Sequence, residues 1–227
     1  MGRGESGDGG MAPSVTRRIL LAPLLSGVWV AACAPLAGPA EPALGPVGWR
    51  RARAAYGPDP RQVVQLYRPA RARGLPLLLL LPQAGITEAE QAWAEGMAGQ
   101  GMVVALADRR PSPVPRFPAY ISDTARALAW AVHQAPALGA SPDRVAVTGQ
   151  GEGGRAALML ALDRRYLASV GMAGRLRAVV ALDVPDQADP TFTDPGTHGG
   201  SRPGVPIWRG PSSDFGPALN ALKQTLI

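Results

Sequence analysis

Short, almost wholly apolar runs alternate along this chain with longer stretches in which apolar residues recur at helical spacing. Val63-Val64-Gln65-Leu66-Tyr67 alternates weakly and predicts a strand that ends at Arg68-Pro69. Leu75 to Leu81 is leucine throughout except for Pro76. Such a run suits a fully buried strand or a short buried helix, and the Pro82-Gln83-Ala84-Gly85 turn behind it favours the strand. Thr87 to Ala98 sets Glu88, Glu90 and Glu95 among Ala, Trp93 and Met97, a helix with Thr87 as N-cap. Met102 to Leu106 predicts the next buried strand. Tyr120 to Gln134 predicts a long helix with Leu128, Ala131 and Val132 facing the core, and Val145 to Thr148 a further strand. Gly154 to Asp163 begins another helix, Leu176 to Leu182 is one more strand, and Pro217 to Leu226 is a last helix. Strands and helices in alternation predict an α/β fold, a mostly parallel sheet with helices on both faces and its sites at the strand ends.

The first part of the chain departs from that rhythm. Arg17-Arg18 precedes an apolar run from Ile19 to Ala32 that is too short to span a bilayer as a helix, which needs about 20 residues. Thr16-Arg17-Arg18-Ile19-Leu20-Leu21 resembles a twin-arginine export signal, and Val30-Ala31-Ala32-Cys33 resembles the lipobox of bacterial lipoproteins. The alternative is an ordinary cleaved signal with a chance cysteine, and translation could start at Met11 rather than Met1. The expected organisation is a signal over 1–32, a Pro/Ala/Gly-rich tether over 33–60 and a folded domain over 61–227, with Cys33 lipidated and the protein anchored in the bacterial cell envelope.

Composition changes this picture little. The 28 Gly and 24 Pro among 227 residues are about twice the average share and mark frequent turns. The 23 basic against 17 acidic residues include only one lysine, Lys223, and are spread along the chain, so a nucleic-acid partner is not expected. Cys33 is the only cysteine, which excludes internal disulfides and cysteine-based zinc sites. No cofactor or metal is expected.

The turn after Val145 to Thr148 supports two readings. Gly149, Gly151 and Gly154 spell G-x-G-x-x-G, the dinucleotide fingerprint, with Asp183 closing the next strand as its acidic partner. That acid is 29 residues beyond Gly154, where about 20 is usual, and the motif does not follow the first strand. The other reading takes Gly149-Gln150-Gly151-Glu152-Gly153 as G-x-S-x-G, the nucleophile elbow, with Gly151 in the serine position.

Residues upstream decide the preference. Arg110-Pro111, Phe117-Pro118-Ala119, then Asp123, Ala127 and Trp130, and then Pro142-Asp143-Arg144 leading into the glycine turn follow one order. In that order they resemble the esterase and lipase branch of the α/β-hydrolase superfamily, of the hormone-sensitive-lipase and feruloyl-esterase-like type. The match runs collinearly from about Leu77 to Asp186. The resemblance implies an α/β-hydrolase-like three-layer sandwich with a mostly parallel sheet, C-terminally truncated in this chain.

It also implies a set of catalytic parts, most of them altered here. The nucleophile position falls on Gly151, which has no side chain to attack with. The oxyanion loop falls on Gln83, Ala84 and Gly85, whose backbone N–H groups, with that of Glu152, could still form a nest. Asp214 after Ile207-Trp208-Arg209-Gly210 is the best match to the triad acid, though its position before the Pro217 to Leu226 helix favours a turn or N-cap aspartate. His198 in a Gly-rich loop is the only histidine placed to act as base, and His133 reads as a solvated helix residue. Thr148, Ser122 and Ser169 are the hydroxyls that could substitute, and the Glu152 carboxylate reads as a solvated first-turn residue. The expected function is a catalytically silent, esterase-like exported lipoprotein that binds a small molecule in a degenerate site. The alternatives are an ester hydrolase using an unconventional or partner-supplied residue, and dinucleotide binding at Gly149 to Gly154.

Overall fold

A computed structural model describes residues 49–110, 118–184 and 205–226. Among the described residues seven strands form one sheet in the order β1-β2-β4-β3-β5-β6-β7. The strands are β1 Trp49–Ala55, β2 Val63–Pro69, β3 Leu75–Leu81, β4 Val103–Ala107, β5 Ala140–Gln150, β6 Leu176–Leu182 and β7 Ile207–Gly210. β2 runs antiparallel to both of its neighbours, and every other pairing is parallel. Among the described residues the helices are α1 Glu88–Gly99, α2 Ala119–Leu138, α3 Glu152–Leu162, α4 Arg164–Ala168 and α5 Phe215–Leu226.

Period-two geometry sends each central strand's side chains to opposite faces. Leu77, Leu79 and Leu81 of β3 enter one core with α2 and α3, while Leu78 and Leu80 enter a second core with Ala94 and Met97 of α1 and Leu219, Leu222 and Leu226 of α5. All five of these leucines are at most 1% exposed. Truncating one to alanine would cost about 2–5 kcal/mol. The leucine run is therefore a strand buried on both sides, and the predicted three-layer α/β sandwich is what forms. No helix among the described residues is long and apolar enough to cross a membrane.

Several expected boundaries move. The tether read over 33–60 gives way by Trp49 to β1, an edge strand whose Arg50, Arg51 and Arg53 are exposed and leave no alternating pattern to read. α2 runs past Gln134 to Leu138 even though Pro136 removes one backbone donor from its last turn, and Gly139 closes the helix in the left-handed region at φ 76°. β5 already pairs at Ala140 and then bulges, so the register jumps from Leu75–Ala140 to Leu77–Val145 around Pro142-Asp143-Arg144. α3 begins at Glu152 rather than at Gly154. α1 starts as expected, with Thr87 and Glu90 closing a capping box.

One polar network ties the start of α2 to the sheet. Asp123 is fully buried and takes a two-pronged bond from Arg110, which follows β4, through Nε and Nη2 at 2.8 Å each. Gln62, itself buried, donates to the same carboxylate at 2.7 Å. Removing either charge would leave the other buried groups without partners.

Candidate functional site

β5 passes into α3 through a sharp turn at the carboxyl end of the sheet. Gly151 caps α3 with φ 54° and ψ −117°, a conformation that a residue with a side chain adopts only under strain. The turn is held from both sides: the Gly151 N–H donates to the Leu182 carbonyl of β6, and the Gly151 carbonyl accepts from the Arg155 N–H, each at 2.9 Å. The flanking glycines provide room. A Cβ on Gly153 would stand 2.2 Å from the Leu81 carbonyl oxygen, and one on Gly149 would stand 2.5 Å from the Gly153 carbonyl carbon. This is the shape of a nucleophile elbow. It also accounts for the glycines without a pyrophosphate, since Gly149, Gly153 and Gly154 all pack against the protein itself.

Gly151 has a different neighbour. A Cβ there would lie 3.0 Å from Cγ and Cδ of Gln83 and 3.3 Å from its Nε2. The Gln83 side chain thus covers the place from which a nucleophile would project.

The loop that carries Gln83 is held by two arginines. Arg109 donates from Nη1 to the Pro82 carbonyl at 2.7 Å and from Nη2 to the Gln83 carbonyl at 3.2 Å, and Arg61 donates to the Ala84 carbonyl at 3.3 Å. A trans peptide points its N–H opposite its carbonyl, so the N–H groups of Gln83, Ala84 and Gly85 turn away from the arginines. The Glu152 N–H, in the first turn of α3, has no acceptor within the helix. These are the donors that the sequence assigned to an oxyanion-like nest.

Charge around the loop is unevenly buried. Arg109 is only 7% exposed, and burial depresses its pKa against the opposing pull of the Glu152 and Asp108 carboxylates. The Glu152 side chain is 40% exposed and lies 3.8 Å from Arg155, which fits the solvated first-turn residue expected. Asp183 is engaged by neighbouring protein groups. It sits at φ 49° and accepts from the Ser212 N–H at 2.9 Å and from Gln150 Nε2 at 2.6 Å. These bonds, that of the Ser212 backbone first, hold its carboxyl below the ordinary range.

The substitute hydroxyls are not positioned for attack. Thr148 is 1% exposed and pairs with Leu80 and Val180, both in the core that contains α1 and α5; its hydroxyl has no hydrogen-bond partner among the described residues. Ser122 donates to the Pro118 carbonyl and Ser169 to the Tyr166 carbonyl. His133 is exposed on α2, ten residues beyond Asp123 and so about 15 Å further along the helix. Asp214 ends a single 3-10 turn, Ser212–Asp214, before α5. His198 and Cys33 lie outside the described residues.

Beside the loop opens a cleft of about 380 Å³, lined by Arg53, Arg61, Ala84, Gly85, Thr87 and Asp108 among others. Neither Gly151 nor Glu152 lines it, so it flanks the elbow without including it. Sequence reasoning missed Arg109 and the covering side chain of Gln83. One of two adjacent arginines behind an apolar strand carries no mark of burial, and the spacing singles out only the backbone of Gln83.

Residues 83–174 match the family model BD-FAE. Esterase LipC of Mycobacterium tuberculosis (strain ATCC 25618 / H37Rv) is 30% identical over 137 residues, which is 53% of this chain and 32% of LipC. The structure of a bacterial heroin esterase aligns with a TM-score of 0.50 at 27% identity, over 59% of this chain and 44% of that one. Thermogutta terrifontis esterase 2, phosphorylated by paraoxon, aligns with a TM-score of 0.55 over 77% and 78%, and at 19% identity it shows the shared fold. The chain spans about a third of the length of LipC and less than half of the heroin esterase.

Proposed function

From the premise that this chain has the α/β-hydrolase fold and the sequence character of its esterase and lipase branch, we propose that it binds a small molecule at the elbow without cleaving it. The observation that carries this reading is Gly151 itself. The elbow keeps its backbone conformation, its hydrogen bonds and the close packing of its flanking glycines, and it lacks the one atom that forms an acyl bond.

What would remain is a set of backbone donors on the 83–85 loop and at the start of α3. The Glu152 carboxylate beside them disfavours an anion, so the preferred ligand presents a neutral carbonyl oxygen. Such binding stabilises the folded chain by an amount that grows with the logarithm of ligand concentration over Kd. The test is turnover of a short-chain nitrophenyl ester by the purified chain and by its Gly151→Ser variant. Hydrolysis by the unaltered chain above the buffer rate would overturn the reading.

The second part of the proposal is export and anchoring through Cys33. It is supported by the twin-arginine-like and lipobox-like segments at 16–21 and 30–33. Palmitate fed to cells producing the chain is expected to label it, and Cys33→Ser is expected to abolish the label. Labelling that survives this substitution would refute the anchor.

A further inference from the structure

The whole formal net charge of the chain, +6, is concentrated in one short stretch. Residues 49–74 contain seven arginines and a single acidic residue, Asp59, and the rest of the chain is balanced. That stretch forms β1, β2 and the turn after β2. β1 is the outer strand of the sheet, and Arg50, Arg51 and Arg53 are exposed along it. The strand register sets Arg50 directly opposite Arg68, a like-charge pair that is destabilising unless an anion compensates it. Arg71 and Arg73 are exposed in the turn. The Arg51 guanidinium lies over the Tyr67 ring, 5.8 Å from its centre. Arg50, Arg51, Arg53, Arg68, Arg71 and Arg73 form no salt bridge among the described residues.

A charge or two on an edge strand is enough to discourage strand-to-strand association. Seven arginines against one acid, with two set face to face, exceed that need. Arg53 also lines the 380 Å³ cleft, where Arg61 is paired with Asp108, so the cationic edge borders a concave surface of ligand-binding size.

We propose that the β1–β2 edge docks on the anionic phospholipid headgroups of a membrane. The 15 residues between Cys33 and Trp49 reach at most about 55 Å when fully extended. This inference draws on the anchor reading only for delivery: a lipidated Cys33 would hold the cationic edge within that reach of a bilayer. Each arginine adds attraction within a Debye length of an anionic surface. Nucleic acid would attract the same cations, but only the bilayer would be brought to this edge by a lipidated Cys33.

The test uses the full chain carrying Cys33→Ser, so that no lipid contributes and failure here is separate from failure of the anchor. It is sedimented with vesicles of phosphatidylcholine alone and of phosphatidylcholine mixed with phosphatidylglycerol. Alongside it go a variant with Arg50, Arg51, Arg53 and Arg68 all changed to Gln, the same four changed to Lys, and a control with Arg126→Gln and Arg164→Gln on α2 and α4. Binding is expected only to the phosphatidylglycerol vesicles, to fall as salt rises, and to weaken by roughly tenfold or more in the Gln variant, with the Lys variant and the control unchanged. Equal binding to both vesicle types overturns the proposal, as does a folded Gln variant that binds like its parent. Duplex DNA bound more tightly than the anionic vesicles overturns it in favour of a nucleic-acid surface. If the Gln variant does not fold, the vesicle preference and salt dependence of the parent still decide.

Discussion

Gln83 covers Gly151: the place where a Cβ on Gly151 would sit lies 3.0 Å from Cγ and Cδ of the Gln83 side chain. The contact joins the loop after β3 to the turn after β5, and it fixes what a restored serine would meet. Gly151→Ser must carry a side chain at φ 54° and displace Gln83. We expect a loss of about 1–3 kcal/mol in denaturant-induced unfolding. Gln83→Ala combined with it should recover part of that loss, giving a coupling of about 0.5 kcal/mol or more. Strict additivity would show that Gln83 does not lie over the site in solution.

Gly153→Ala should be far worse than Gly151→Ala. Its Cβ would stand 2.2 Å from the Leu81 carbonyl oxygen, which is backbone, whereas the Cβ on Gly151 meets only a flexible side chain. Thermal melting should order the two variants in that way, with the first folding poorly or not at all. Equal melting temperatures would mean that the elbow is looser than its geometry.

Asp123→Ala should cost about 3 kcal/mol, since it leaves the buried Gln62 amide and the Arg110 fork without their acceptor. Asp123→Asn keeps one acceptor oxygen and should cost less. The difference between the two, read from denaturant midpoints at constant slope, separates the lost charge from the lost hydrogen bonds.

Arg109→Met removes both bonds to the Pro82 and Gln83 carbonyls while filling a similar space. Amide hydrogen exchange is expected to speed up across residues 83–86 and to stay unchanged in α2. Protection that is lost evenly over the whole domain would mean that Arg109 supports the fold rather than the loop.

Stability should decline on the alkaline side. Burial, reinforced by Asp123 and Asp108, pushes the Tyr56 hydroxyl well above its ordinary range, and burial pushes that of Tyr67 up to about 12. The unfolded chain loses these protons first, near pH 10, so their contribution is complete below about pH 10 and is lost as the pH rises through the folded values. Each tyrosine adds a slope of up to about 1.4 kcal/mol per pH unit in that window. Tyr56→Phe should flatten the slope, at a cost of about 1 kcal/mol at neutral pH for the bond to the Asp108 carbonyl.

Much of this architecture was legible in the residues. Leu75 to Leu81 and Leu176 to Leu182 begin and end as strands where their apolar runs do, because a strand buried on both faces is almost wholly apolar; the exposed Arg177 near the start of β6 is the exception. β1 was not legible, because an edge strand with arginines on both faces has neither alternation nor a run. Gly151 could be read in the nucleophile position because the elbow's spacing is local. Its cover by Gln83 and the grip of Arg109 on the loop could not, because both join residues that are far apart along the chain.

The central claim is that the elbow holds its shape without a nucleophile, and covalent trapping tests it most directly. The purified chain is incubated with paraoxon and its intact mass is measured. The account predicts an unchanged mass, and an adduct only in the Gly151→Ser variant if a base is within reach. A diethylphosphoryl adduct on any hydroxyl of the unaltered chain would contradict it.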